Sequence, residues 1–479
     1  MKLLLAVFTT LSVFSSLGRS SNLEEWAKTL EQKSLELMFQ NISPPGSPSG
    51  LVVASPSRID PEYYYHWVRD SALVMDVIVT LYERETDSKK KQEFFDLLMD
   101  FANLSRAIQL TPNLSGGPGD GGDGEPKFNP DGSPYMKDWG RPQNDGPASR
   151  AVTLTRFALK LIKEGKWDAA RKLYDGKSPS ESVIMVDVEY TLRHWQNTSV
   201  DLWEEVRGHH FYTRFVQRKA LIDGARLADL LGDGTNADIY RKGAAALDIE
   251  IKKHLPSDAK YILATLDEAP NKKGKIGNLD VAAILAVLYN DATEESETLL
   301  GIDHEMVLAT AATLIRQFKK EYKINSIEYD HFGEKMQVAL GRYLGDQYYG
   351  GNHWFLVTAA FAELCHRNAI KIQQKKRVEI TALNKDFYEL IVDNLHINVG
   401  DAITENDVRF QQMVSGLYEG GERFLRRIRY HAKDDFEFHE QSHRDTGFQL
   451  SAENLTWNCA AHLRLLDART AASSTVSAH

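Results

Sequence analysis

Val281-Ala282-Ala283-Ile284-Leu285-Ala286-Val287-Leu288 is apolar nearly all round, and so is Leu73-Val74-Met75-Asp76-Val77-Ile78-Val79. A helix without a polar face belongs inside a protein. Ala148 to Ile162 and Ala237 to His254 instead keep one polar face, the signature of a helix at a surface. Helical periodicity also runs through Leu23 to Phe39, Ser71 to Tyr82, Glu93 to Leu110, Val183 to Trp195, His210 to Leu231, Leu279 to Tyr289 and Met306 to Tyr322. It continues through Trp354 to Ala369, Asp386 to Leu395, Asp407 to Arg429 and Glu453 to Asp467, with no run of alternating strands. That makes thirteen segments, or twelve after an N-terminal one. Inner and outer layers of helices produce such an alternation of all-apolar and one-sided segments.

The chain has 479 residues, 42% hydrophobic and 26% charged, which is an ordinary globular composition. Its formal charge of −10 offers no basic excess for a polyphosphate, so nucleic acid is excluded as a partner. Lys2, the apolar run Leu3 to Leu17 and the small polar residues Gly18 to Ser21 read as a secretory signal peptide over residues 1–21, a signal anchor being the alternative. No later run is long enough to span a bilayer, so no membrane span is expected once the signal is removed. Export agrees with N-x-S/T triplets at Asn41, Asn103, Asn113, Asn197 and Asn454, several of which are expected to be buried or unused. Cys365 and Cys459 allow at most one disulfide. No linker divides the chain, which implies one domain over residues 22–469 and a frayed tail over residues 470–479.

Charges and aromatic rings gather in loops and at helix edges: YYYHWVRDS (Tyr63 to Ser71), KDWGRPQNDGP (Lys137 to Pro147), VDLWEEVRGHHFYT (Val200 to Thr213), GRYLGDQYYGGNHW (Gly341 to Trp354) and FHEQSHRDTG (Phe438 to Gly447). Flat rings with polar neighbours suit sugars. Arg69-Asp70 joins a fork of donors to an acceptor, which grips vicinal hydroxyls or forms a plain helix-start ion pair. Trp139 and Arg141 sit in the turn-rich stretch Thr111 to Pro147, whose length points to function. Glu204-Glu205 behind Trp203 fits glycoside hydrolysis, where one carboxylic acid stays protonated to serve the leaving oxygen; a solvated acidic pair is the plain alternative. His439-Glu440-Gln441-Ser442-His443 matches the zinc-protease pattern H-E-x-x-H, but Phe436 to His439 alternates like a strand and Arg444 to Gly447 reads as a turn. The Gly119 to Gly124 stretch lacks the spacing of a calcium loop.

Taken jointly, these motifs resemble the glucoamylase family of secreted exo-acting glucosidases over nearly the whole mature chain. TSVDLWEEVRG (Thr198 to Gly208) is similar to the family signature around its acid, and WVRDS, GEPKFN, WGRPQNDGPA, GRYLGDQYYGGNHWFL and EQSHRDTGFQLSAENLTW follow in family order. The resemblance implies an all-α (α/α)6 barrel with a pocket at one end. It implies Glu204 as general acid, Glu440 as general base, Asp201 in support of the acid's loop and Glu205 as a sugar-binding carboxylate. Tyr63, Trp67, Arg69, Asp70, Trp139, Arg141, Trp203, Arg342, Asp346 and Trp354 would line the glucose pocket. The sequence departs from the family at Leu344 and His353, where prolines are usual, and at His439, where Ser is customary.

The function expected is a secreted hydrolase releasing β-glucose by inversion from the non-reducing ends of starch, maltooligosaccharides or other α-glucans. It would act as a monomer without cofactor or metal and without a starch-binding domain, with vacuole or cell wall as other destinations. The competing readings are a trehalase or an isomaltose- or dextran-cleaving glucosidase on the same scaffold, a zinc metalloprotease through His439 and His443, and a non-catalytic carbohydrate-binding protein.

Overall fold

The computed structural model describes residues 22–175, 182–267, 275–291 and 298–477. The signal peptide expected at residues 1–21 lies outside the described residues. Fourteen α-helices occur among those described: α1 (Leu23–Gln40), α2 (Val68–Arg84), α3 (Ser88–Gln109), α4 (Asp145–Lys163), α5 (Trp167–Asp175), α6 (Val183–His194), α7 (Phe211–Leu231), α8 (Gly234–Lys252), α9 (Ala282–Tyr289), α10 (Glu305–Glu321), α11 (Phe355–Lys375), α12 (Lys385–Ile391), α13 (Val408–His431) and α14 (Thr456–Ser477). The packing closes a ring: α2 lies against α4, α4 against α7, α7 against α9, α9 against α11, α11 against α14, and α14 against α2. Outside that ring, α1 packs on α14, α3 on α2, α6 on α4, α8 on α7, α10 on α9 and α13 on α11. This is the (α/α)6 barrel, with α5 and α12 as short extras.

The apolar octet that suggested an inner helix forms α9, where Ala282 through Leu288 are all buried. Truncating such a side chain, as in Ile284→Ala, costs about 2–5 kcal/mol. The reading of Ala148 to Ile162 as an outer helix is corrected. Helix α4 is part of the inner ring, and its two arginines meet carboxylates on neighbouring helices: Arg150 bonds both oxygens of the fully buried Asp187 on α6 at 2.7 Å, and Arg156 bonds Asp76 on α2 at 2.9 Å. The count of twelve also needs a correction, because the N-terminal helix α1 is one of the outer six while the segment at Asp386 is the extra. Over the described part of the tail expected from Thr470, the chain is helical. Helix α14 runs to Ser477, burying Ala472 and seating its Thr470, Ser474 and Thr475 hydroxyls on carbonyls one turn back.

Helix starts differ between the layers. Outer helices α1, α3, α8 and α13 are capped by Asn22, Asp87, Asp233 and Asp407, whose side chains accept from the first-turn amides. Inner helices α2, α7 and α11 follow directly from the strand residues Trp67, His210 and Trp354, with no side-chain cap. Short sheets hold these entries: His66–Trp67 pairs with Lys127–Phe128, Arg207–His210 with Ser199–Val200 and Thr265–Leu266, and Gln441–Ser442 with both His353–Trp354 and Gln449–Leu450. The inner helices therefore present their N-terminal ends, and the loops leading into them, to one end of the barrel.

Cys365 and Cys459 are both buried free thiols. Of the five triplets, Asn41 and Asn454 are buried, and the Asn41 amide bonds the Asn454 carbonyl and the Thr456 hydroxyl. Asn103 and Asn197 are exposed and Asn113 is half-buried.

Candidate active site

A cavity of about 550 Å3 opens at that end of the barrel. Its lining brings together Tyr63, Trp67, Arg69, Asp70, Trp139, Trp203, Glu204, Glu205, Arg342, Trp354 and Glu440, drawn from every motif singled out in the sequence.

Glu204 is held on one oxygen. Its Oε1 accepts from Trp67 Nε1 at 2.8 Å, Trp139 Nε1 at 2.9 Å and Gln143 Nε2 at 2.9 Å, and Arg69 Nη2 stands 3.9 Å away. With Oε1 so occupied by donors, a proton on this carboxyl sits on Oε2. The backbone of Glu204 has φ 67°, a left-handed conformation that a non-glycine residue takes at a cost of about 1–2 kcal/mol. The turn is enforced by Asp201. Its Oδ1 accepts from the amides of Glu205 and Val206 at 2.8 and 2.9 Å, its carbonyl accepts the Glu204 amide at 2.9 Å, and its Oδ2 accepts from Lys275 at 2.7 Å. Lys275 also pairs with Asp280, which accepts from Trp203 Nε1. Asp201 is pulled well below the usual carboxylate range by Lys275, His210 and these amides, against the opposing effect of its burial.

Glu440 enters from the far side, just ahead of the strand Gln441–Ser442. Its Oε2 accepts from Ser451 Oγ at 2.6 Å and Gln441 Nε2 at 2.9 Å. Burial pushes its carboxyl up to about 7, opposed by those donors, by the Arg342 charge and by the Tyr63 hydroxyl. Tyr63 stands close enough to both carboxyls that Glu440 and Glu204 each add to the upward push that burial gives its phenol.

Two guanidinium groups face the cavity, each gripped from behind. Arg69 donates to Gln143 and to the fully buried Asp145 at 2.9 Å, whereas Asp70 lies 3.6 Å from its Nε; the helix-start pair is thus the weaker of its contacts. Burial raises the Asp70 carboxyl to about 6, Arg69 opposing. Arg342 donates to Asp346 at 2.6 and 2.8 Å and to Glu205 at 2.8 Å, and Tyr343 donates to the other oxygen of Glu205. Burial raises the Glu205 carboxyl, with Arg342 opposing. The loop that carries Leu344 and His353 is held by close backbone packing and by hydrogen bonds. A Cβ at Gly351, φ 71°, would lie 2.0 Å from the Asp346 carbonyl oxygen, and the His353 ring bonds Ser442 at 2.7 Å and Thr358 at 2.8 Å.

Two expected pocket residues, Asp346 and Arg141, are placed elsewhere, and Asp201 lies at the acid's loop. Asp201 and Asp346 lie behind the wall, and Arg141 is a loop fastener, bound to the buried Glu125 carboxylate and to the carbonyls of Tyr135 and Trp139. Sequence reasoning passed over Lys127, Tyr65, Tyr135, Tyr348, Tyr349 and Trp457, which also line the cavity. Tyr348 bonds Tyr63 hydroxyl to hydroxyl at 2.6 Å. The signal was present in YYY, in GEPKFN and in QYYGG, as aromatic residues and a lysine inside motifs already quoted. The indole Nε1 of Trp354 is a buried donor with no protein partner. The H-E-x-x-H stretch is extended through Gln441–Ser442 and not helical, His439 meets Lys433 at 2.9 Å, and His443 Nδ1 accepts from the amides of Asp445 and Thr446. Its two rings are not on one helix face, as the zinc reading requires. Among the described residues no helix is long and apolar enough to cross a membrane.

The chain matches the family described as glycosyl hydrolases family 15 over residues 32–467. It is 33% identical to a glucoamylase of Blastobotrys adeninivorans over 90% of this chain and 69% of that one. It is likewise 33% identical to a glucoamylase of Saccharomycopsis fibuligera over 94% and 91% of the two chains. A solved glucoamylase structure from Saccharomycopsis fibuligera superposes with a TM-score of 0.86 at 30% identity, covering 97% of this chain and 99% of that one. On the strength of a match along nearly the whole barrel, the chain belongs to glycosyl hydrolases family 15.

Proposed function

We propose that this starch-hydrolysing glucosidase removes single glucose units from the non-reducing ends of α-glucans with inversion. Glu204 donates the proton and Glu440 activates the water. The observation that carries the reading is that two carboxyls far apart in the sequence line one pocket, each held by donors on a single oxygen. In the reaction, the Glu204 proton moves from Oε2 to the glycosidic oxygen as the bond from that oxygen to the anomeric carbon breaks. Water attacks the opposite face of that carbon and gives its proton to Glu440. Exchange with solvent then returns the proton balance. Arg69, Arg342 and Glu205 hold the sugar hydroxyls, while Asp201 keeps the Glu204 turn in place. Starch and maltooligosaccharides are the substrates, the protein acts as a secreted monomer, and vacuole or cell wall remain alternative destinations.

Incubation with maltose, maltoheptaose, isomaltose and trehalose tests substrate and mechanism together. Glucose as the first product from maltoheptaose, with maltose cleaved faster than isomaltose or trehalose, supports the reading. Preferred cleavage of trehalose or isomaltose would move the chain to another glucosidase on this scaffold, and binding without any glucose release would make it a carbohydrate-binding protein.

A further inference from the structure

Lys127 is a lysine buried to 2% exposure at the cavity wall. Its Nζ lies 3.6 Å from the ring centroid of Trp139, 4.1 Å from Tyr65, 4.2 Å from Tyr135 and 4.4 Å from Trp67. Four ring faces around one ammonium make a cation cage filled from within the same chain. The residue is fixed there by the backbone, since Lys127 pairs directly with Trp67 across the two short strands. Two of the four rings, Trp67 and Trp139, are the indoles that donate to Glu204 Oε1.

We propose that Lys127 is a positioning residue for the proton donor, its ammonium fixing the angle of the Trp67 and Trp139 indoles and favouring the Glu204 carboxylate left when the proton departs. The proposal rests on the assignment of Glu204 as the acid. The orienting effect is geometric. Trp67 and Trp139 meet edge to face with centroids 6.0 Å apart, and the ammonium lies against both, so neither indole turns without losing it. The charge effect is differential: a protonated Glu204 is neutral and gains little from a nearby cation, whereas the anion formed on proton transfer gains much more. The two groups sense each other, because Glu204 and Glu62 hold the Lys127 ammonium up against a burial that brings it down to about 8. Lys137 and Arg141 also face Lys127. Glu204 is faced in addition by Arg69, Asp70 and Tyr63. All of these stay constant when Lys127 alone is changed.

The test compares pH profiles of kcat on maltoheptaose for the wild type, Lys127→Met and Lys127→Arg, with Glu204→Gln as reference. Loss of the cation in Lys127→Met should raise the alkaline limb by about one unit and lower kcat about tenfold, with KM little changed. Lys127→Arg, which keeps the charge and stacks on rings, should return the limb to its wild-type position. A kcat loss with the limb unmoved would make Lys127 a merely structural residue and overturn the proposal. So would an arginine variant that behaves like the methionine one. If the methionine variant yields no folded protein by circular dichroism, the arginine variant decides: a wild-type limb supports the proposal and a displaced limb overturns it. Glu204→Gln separates the two ideas. Full activity in that variant removes the acid assignment and this proposal with it, while its inactivity alongside an unmoved limb in Lys127→Met removes only the proposal.

Discussion

Glu204→Gln isolates proton donation from everything else the side chain does. The amide oxygen of glutamine takes the place of Oε1 and keeps the three bonds from Trp67, Trp139 and Gln143, while its NH2 group faces the pocket where Oε2 stood. Fold and sugar binding therefore survive, and only the transferable proton is lost. General-acid catalysis contributes about 10²–10⁴-fold, so kcat should fall by that factor, equivalent to about 2.7–5.4 kcal/mol of transition-state stabilisation. KM should stay within about threefold, because the lost interaction exists only in the transition state. Glu204→Ala should behave differently, for a reason visible in the structure. It strips the partner from two indole N–H groups, each worth about 1–3 kcal/mol when buried and unpaired, although Gln143 keeps its bond to the Gly140 carbonyl. Water entering the pocket offsets part of that, so a stability loss near about 2 kcal/mol is expected on top of the rate defect. The assay is initial glucose release from maltoheptaose at several substrate concentrations, with thermal melts of all three proteins. A Glu204→Gln enzyme within tenfold of wild-type kcat would refute the reasoning, as would a fall in its melting temperature equal to that of Glu204→Ala.

Ser451→Ala removes a 2.6 Å donor that favours the Glu440 anion, so the acidic limb of kcat/KM should move upward by about one unit; an unmoved limb would take the base role from Glu440. A crystal structure should find the Glu204 and Glu440 carboxyls about 6.5–9.5 Å apart, and proton NMR should then show β-glucose appearing before α-glucose, whereas initial α-glucose would mean a covalent intermediate. Activity should persist in EDTA, and its collapse would revive the zinc reading of His439 and His443. Burial brings His462 down to about 3 in the folded state, below an ordinary value of 6.5, so it stays neutral where the unfolded chain takes up a proton. Its contribution to stability is complete above about pH 6.5 and is lost as pH falls from there toward 3. Replacing it in His462→Phe should flatten the decline in melting temperature over that window, and an unchanged slope would assign the acid sensitivity elsewhere.

The layered fold was legible because two helical stretches are apolar enough to exclude any surface. What misled was polarity taken as exposure. Arg150 and Arg156 give α4 a polar face in sequence, yet each meets a carboxylate on another helix, and nothing in the linear pattern reveals that Asp187 or Asp76 waits there. The same holds at the site. Glu204 and Glu440 were legible from motifs, but the partner choice of Arg69 was not, since the adjacent Asp70 is the obvious candidate while Asp145 supplies the closer bond. Arg141 was misplaced for a related reason: its side chain turns back to Glu125, a residue sixteen positions earlier in the same loop. Lys127 was passed over although GEPKFN carries it, because its cage exists only when Tyr65, Trp67, Tyr135 and Trp139 converge.

The way the inner helices begin explains why this end of the barrel, and not the other, holds the chemistry. An inner helix is enclosed by neighbours along its length, so variation is tolerated only in the segments that lead into and out of it. Here the entries are stiffened by strand pairs: Trp67 against Lys127, Trp354 against Gln441, and Val200 against Arg207 on either side of the Glu204 turn. The first two pairs tie a residue of the pocket to a second segment from elsewhere in the chain, and the third closes the hairpin that carries Glu204. Glu204 and Glu440, the proposed acid and base, thereby sit on separate, independently braced supports facing one pocket. That arrangement suits inversion, which requires a gap wide enough for a water between two carboxyls that must not drift. The same bracing sustains the left-handed Glu204 backbone, since the Asp201 bonds to Glu205 and Val206 close the turn and Lys275 holds Asp201 from behind. Lys275→Met should consequently loosen the turn and lower kcat while leaving Arg69 and Arg342, and with them much of the sugar affinity, in place.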